Sequence, residues 1–126
     1  MQLHHTGYIV KNAENTSSFK EHLHLITKAN DPIQGAKICL YKNLQNQLIE
    51  LVEPLNEKSP VWNFLQKKGE GFHHLCYQAN IHEMNKYVNE HQLIKLMGPV
   101  PAQIFQGQQV IFFIQRNRTL IEFLLD

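Results

Sequence analysis

The sequence predicts an α+β fold: two tandem βαβββ modules forming a curved, partly open barrel-like sheet around a central cavity. Three observations carry this expectation. Leu48-Ile49-Glu50 recurs as Leu120-Ile121-Glu122, His4-His5 recurs as His73-His74, and weaker matches fall between them in the same order. Setting His5 on His74 gives an offset of 69, which places Tyr8 on Tyr77, Phe19 on Val88, His22 on His91 and Leu25 on Ile94. Further along, the offset is 72, with Gln34-Gly35 on Gln106-Gly107, Ile38 on Val110 and Leu40 on Phe112. A three-residue insertion between Ile94 and Gln106 accounts for the change. A period of about 70 residues is too long for a solenoid repeat, so two modules sharing one domain are expected.

Each module opens on a short strand rich in Tyr, Ile and Val, His4 to Val10 and Phe72 to Gln78. Helices are expected next. From Ala13 to His24, Phe19, Leu23 and Leu25 suggest one apolar face, and from Ile81 to His91, Met84, Tyr87, Val88 and His91 recur at helical spacing. A short strand and a Gly/Pro-bearing loop follow in each, Asn30 to Gly35 and Gly98 to Gly107. Two strands close each module: Ala36 to Tyr41 with Gln47 to Val52, and Gln109 to Ile114 with Thr119 to Leu125. Between the modules, Ser59 as N-cap and Pro60 at the first position begin a linker helix, Val61 to Lys68, which Gly69 to Gly71 end. The expected plan is one domain over 1–126, with module 1 at about 1–58, the linker helix at about 59–69 and module 2 at about 70–126.

Composition narrows the function classes. The chain is long enough for one domain with a real core, and 43% hydrophobic with 18% charged residues is ordinary for a globular protein. A net charge of +1 provides no basic field for nucleic acid or acidic lipid. No apolar run approaches the ~20 residues of a membrane span, and the N-terminus enters a strand pattern without the regions of a signal peptide. Cys39 and Cys76 stand alone in apolar strands, the pattern of buried free thiols in a reducing compartment, so a cytoplasmic protein is expected.

Glu50 shares a strand face with Leu48 and Val52, and Glu122 with Leu120 and Leu124. A carboxylate in such a setting is costly unless a cation or proton donor meets it. One alone commonly lies near a strand end or pairs with Lys or Arg. Two, at equivalent places in a repeat and each matched by a histidine, would converge on one cavity under a pseudo-twofold arrangement. With His5 and His74, they form a mixed N/O donor set for a borderline divalent ion such as Zn, Ni, Co, Mn or Fe, which makes the cavity a central metal cavity. Alternation alone leaves open which member of each His pair faces inward; if His5 and His74 do, His4 and His73 face the opposite side. His22 and His91 fall at expected helix ends, where a histidine serves the helix dipole, and His24 and His82 look like surface residues.

His5-Thr6-Gly7-Tyr8-Ile9-Val10 resembles the opening strand of the vicinal oxygen chelate superfamily of glyoxalases, bleomycin resistance proteins and dioxygenases. The run Leu48-Ile49-Glu50-Leu51-Val52-Glu53-Pro54-Leu55, then Ser59-Pro60, Gly69-Glu70-Gly71 and His73-His74-Leu75-Cys76-Tyr77, resembles the methylmalonyl-CoA epimerases. The resemblance implies paired βαβββ modules and a divalent metal (Zn, Ni, Co or Mn) held by one residue from each of four strands. By position these are His5, Glu50, His74 and Glu122. Many epimerases have Gln where this chain has Glu50, and the two-His, two-Glu set resembles that of glyoxalase I.

Both enzymes move a proton on a carbon next to a carbonyl, with a metal stabilising the enolate and a carboxylate carrying the proton. The resemblance therefore implies an epimerase or isomerase with Glu122 and Glu50 as the catalytic carboxylates and a small-molecule acyl thioester or related carbonyl compound as substrate. A glyoxalase I-like lactoylglutathione lyase and a non-catalytic small-molecule-binding protein are the alternatives. An extradiol dioxygenase is disfavoured because the second glutamate would fill a position that O₂ and catechol need. The chain departs from the epimerases at Lys37-Ile38-Cys39, where some carry an acidic residue, and in the shorter segment Gln115 to Thr119. By analogy within the superfamily, a homodimer is expected.

Overall fold

In the computed structural model, which describes residues 1–126, the first half of the chain forms strands β1 (Gln2–Ile9), β2 (His24–Asp31), β3 (Ala36–Lys42) and β4 (Leu48–Pro54). Helix α1 (Trp62–Lys68) leads to β5 (Gly71–Ala79), α2 (Ile81–His91), β6 (Ile94–Ala102), a 3₁₀ turn (Gln103–Phe105), β7 (Gln108–Ile114) and β8 (Leu120–Leu125). All eight strands join one curled, half-barrel sheet in the order β2-β3-β4-β1-β5-β8-β7-β6. In each half, the first strand lies parallel to its own last strand, β1 on β4 and β5 on β8. The halves meet where β1 and β5 pair antiparallel. The middle of the sheet is therefore built from the four strands that carry the repeated His and Glu.

β4 and β8 are apolar on both faces because each is covered twice. On the outer side of the second half, α2 lays Met84, Tyr87 and Val88 over Ala79, Ile121 and Phe123. The helix begins at a capping box in which the Asn80 side chain accepts from the Glu83 N–H and Glu83 accepts from the Asn80 N–H. The first half differs. The segment from Ala13 to His24, expected as a helix, forms successive turns before β2 begins at His24. Asn12 Oδ1 accepts from the Glu14 N–H at 3.0 Å and Asn15 Oδ1 from the Ser17 N–H at 2.9 Å. These short side chains close local turns that compete with helical hydrogen bonds. Phe19 and Leu23 nonetheless pack against the cluster of Val10, Tyr41 and Leu51, so the apolar face is used without the helix.

Three smaller expectations also change. The linker helix starts at Trp62 with Val61 at its N-cap, and the Ser59 hydroxyl accepts from the Val61 N–H at 3.4 Å without capping the helix itself. Gly69 ends it at φ 76°, a conformation that glycine adopts without steric cost. The stretch from Gly98, expected as a loop, continues as strand to Ala102. The extra three residues of the second half enter one at a time. The β2–β3 and β6–β7 ladders match Leu25 with Lys95, Ala29 with Val100 and Asp31 with Ala102, so one residue is added before β6, one near Gly98-Pro99 and one before Gly107. The break between Met97 and Val100 in the β6–β7 register absorbs the residue added near Gly98-Pro99, while the break between Lys95 and Met97 has its counterpart between Leu25 and Thr27. No helix is long and apolar enough to cross a membrane.

Candidate metal centre

Register across the central strands sets the site. Gly7 lies beside Glu50 on one side and His74 on the other, and Cys76 lies beside Glu122 and His5. The arrangement has a pseudo-twofold relation in which Gly7 and Cys76 are equivalent. It brings His5, Glu50, His74 and Glu122 together, all four buried to 3% exposure or less. His5 Nε2 stands 3.3 Å from Glu50 Oε2, 3.3 Å from Glu122 Oε1 and 3.3 Å from His74 Nε2. His74 Nε2 stands 3.2 Å from Glu122 Oε1 and 3.5 Å from Glu50 Oε1. Gly7 is required here, since a β-carbon at that position would collide with the His74 ring.

The donor set fits a divalent ion. Ligands at ~2.0–2.2 Å around a tetrahedral centre are ~3.3–3.6 Å apart, close to these separations. Glu122 Oε1 is buried without a hydrogen-bond partner, although two imidazole nitrogens lie beside it. An orphaned buried oxygen of this kind is uncommon in native proteins, and a cation at the centre of the four groups would satisfy it. Electrostatics agree. Burial opposes the charged form of His74, yet the carboxylates of Glu122 and Glu50 outweigh it and push the imidazole up to about 10. Burial would raise Glu122, but His5 and His74 hold it well below the usual carboxylate range. The site thus keeps Glu122 ionised beside a proton retained on the His74 imidazole, which a metal would replace.

Strand alternation misplaces the outer histidines. The β1–β5 ladder slips between Leu3 and His5 and again between Gly7 and Tyr8, where it passes from His74 to Phe72. His4 and His73 are the residues left over at these bulges. Instead of facing away, their rings lie against the inner pair, with Nδ1 of His4 2.9 Å from Nδ1 of His5, and Nδ1 of His73 2.9 Å from Nδ1 of His74. The doubling of both His motifs was the available signal. His91, at the end of α2, directs Nδ1 to the Tyr87 carbonyl at 3.0 Å; His22 lies in the turn segment, and His24 and His82 are exposed. Asp31 had no signal in the sequence. Fully buried, it accepts from the N–H groups of Ile33, Gln34 and Gln103, tying the 3₁₀ turn to the first half of the chain.

Two cavities flank the centre. One, of about 200 Å³, has a mainly apolar wall that includes Val52, Met97, Phe112 and Leu120 and is reached by His73 and His74. The other, of about 640 Å³, is reached by His4 and His5 and is edged by Thr6, Glu21, Asn43 and Gln47. Neither is lined by Lys or Arg.

Residues 4–112 match the model of the glyoxalase/bleomycin resistance protein/dioxygenase superfamily. The chain belongs to that superfamily. Within it, the uncharacterized Bacillus subtilis protein YqjC is 30% identical over 125 residues, a match that covers 96% of this chain and 89% of YqjC. The crystal structure of the hypothetical protein BH1468 from Bacillus halodurans superposes with a TM-score of 0.81 at 33% identity, covering 99% of this chain and 94% of that one. Mitochondrial methylmalonyl-CoA epimerase of Dictyostelium discoideum is 28% identical over 101 residues, 77% of this chain; the match spans 60% of that enzyme's length. Its relatives therefore include a methylmalonyl-CoA epimerase as well as uncharacterized and hypothetical proteins.

Proposed function

We propose that this protein is a metal-dependent epimerase or isomerase that moves a proton on the carbon next to the carbonyl of an acyl thioester, as methylmalonyl-CoA epimerase does. The observation that carries this reading is the convergence of His5, Glu50, His74 and Glu122, with each imidazole Nε2 3.2–3.5 Å from both carboxylates and His74 in the wall of an apolar cavity. These four residues would hold the ion. When bound, a divalent cation supplies positive charge beside the substrate carbonyl as the α-proton leaves.

The remaining work falls to the chain's own side chains. Val52, Phe112 and Leu120 form an apolar wall against which the acyl group would lie. Glu122 approaches both imidazoles through one oxygen, Oε1, whereas Glu50 turns a different oxygen to each. Glu122 thus keeps Oε2 for taking and returning the proton, and Glu50 serves mainly to hold the ion. The two carboxylates come from opposite halves, so they address the site from opposite sides.

The test is α-proton exchange. Metal-loaded protein incubated with methylmalonyl-CoA in D₂O is expected to incorporate deuterium at the α-carbon, read by mass spectrometry, and Glu122→Gln is expected to lose it. Protein purified without chelator that holds no divalent metal would overturn the metal-dependent reading. Glu50, which completes a two-His, two-Glu set, favours a second reading, a glyoxalase I-like lyase; turnover of the glutathione hemithioacetal of methylglyoxal in place of exchange on the thioester would select it.

A further inference from the structure

We propose that His4 and His73 are positioning residues: each accepts a hydrogen bond at Nδ1 from the neighbouring histidine, fixing His5 and His74 in the tautomer whose Nε2 is free for the ion. This rests on the metal-centre reading above and adds to it two residues outside the donor set. The chemistry is specific. A neutral imidazole carries one N–H, so a ring that offers its Nε2 lone pair must hold its proton on Nδ1, and that N–H needs an acceptor. At 2.9 Å, the Nδ1 atoms of His4 and His73 are placed to be those acceptors, each outer ring keeping its own proton on Nε2.

Three features speak against incidental packing. The arrangement occurs twice, at both ends of the pseudo-twofold. Each instance needs a break in the β1–β5 ladder, since regular alternation would send adjacent side chains to opposite faces. Each outer ring also meets a phenylalanine edge-on at 5.2 Å, Phe105 against His4 and Phe64 against His73. These phenylalanines come from unrelated elements, the 3₁₀ turn and α1. The same ring arrangement is thus reached by two different local structures. Asp31 contributes indirectly, because its bond to the Gln103 N–H holds the turn that carries Phe105.

The experiment uses the full chain loaded with zinc. In ¹⁵N-labelled protein, a coupling across the hydrogen bond is expected between Nδ1 of His5 and Nδ1 of His4, and likewise between His74 and His73, with both Nδ1 protons slow to exchange with solvent. Chelator competition then compares His4→Phe and His73→Phe, which keep a ring but remove the acceptor, with His4→Gln and His73→Gln, whose carbonyl can accept. Each Phe variant is expected to weaken zinc binding ~10–100-fold, and the Gln variants to recover part of the loss. Wild-type protein that binds zinc with freely exchanging Nδ1 protons and no coupling would overturn the positioning role, a result that stands even if the Phe variants do not fold. Unchanged zinc affinity in folded Phe variants would do the same, as would two zinc ions per chain, which would make His4, His5 and Cys76 a second metal site. Wild-type protein that binds no zinc or other divalent ion would instead remove the metal-centre reading beneath it.

Discussion

The two halves of the chain build the same centre with unequal surroundings. Each contributes one histidine and one glutamate from matched strands, and each leaves a second histidine at a bulge. Around that core the halves diverge. The second half covers its sheet with a capped helix, and the first with a run of Asn-closed turns. Gly7 leaves the His74 ring no neighbour on its own strand position, while the equivalent Cys76 puts a buried thiol beside His5. The cavity at His74 is small and apolar; the one at His5 is larger and polar. The symmetric part is where an ion would need four donors, and the asymmetric part is where a substrate would have to approach from one side.

Breaking this inequality in the chemistry should give the largest effect. Glu122→Gln is expected to lower α-proton exchange by ~10²–10⁴-fold, the usual contribution of a general base, while Glu50→Gln lowers it by only ~10-fold. Equal losses, measured side by side on metal-loaded protein, would make the two glutamates interchangeable. Next comes the contrast of Gly7 with Cys76. Gly7→Ala forces a methyl group into the His74 ring and is expected to cost ~1–3 kcal/mol of stability, as overpacking does, along with zinc affinity. Cys76→Ala removes one sulfur from a buried position and is expected to cost about 1 kcal/mol. Urea denaturation of the two metal-free variants checks the order.

The pH dependence sharpens the electrostatic side. With His74 pushed up to about 10, the metal-free site holds a proton there at pH 7.5. Zinc binding is therefore expected to release about one proton from this residue, read by calorimetry in buffers of different ionisation enthalpy, and affinity should rise with pH until about 10. The sign for stability is the reverse. A raised folded-state value means that His74 stabilises the metal-free fold fully below its ordinary value of 6.5 and that this contribution fades as pH climbs towards about 10. The smallest contrast concerns the two outer covers. Asn80→Ala breaks a capping box and is expected to cost about 1 kcal/mol, whereas Asn15→Ala opens a single exposed turn and should cost a few tenths.

Much of the site was legible because a repeat reports spatial equivalence as well as sequence. Leu-Ile-Glu and His-His, each found twice, identified both glutamates and both His pairs, and the resemblance to the epimerases singled out His5 and His74 within the pairs. What stayed hidden lay where local chemistry departs from the ideal ladder. Alternation assumes an unbroken strand, so His4 and His73 were expected on the wrong face. The four-residue spacing of Phe19 and Leu23 is equally compatible with turns that present the same side chains, and there Asn12 and Asn15 favoured turns. Asp31 pairs with backbone N–H groups, and such partners leave no trace in a side-chain pattern.

His5 and Glu122 are 117 positions apart in the chain, yet they stand 3.3 Å from each other. Neither half holds more than two of the four donors, so no fragment ending before β5 and β8 can assemble the set. An ion bound there would act as a clasp on the β1–β5 seam, and its affinity would be drawn from the docking of the two halves. Metal uptake would then report completion of the whole sheet, and because the native state alone would bind, each tenfold excess of ion over its dissociation constant would add about 1.4 kcal/mol against the opening of that seam.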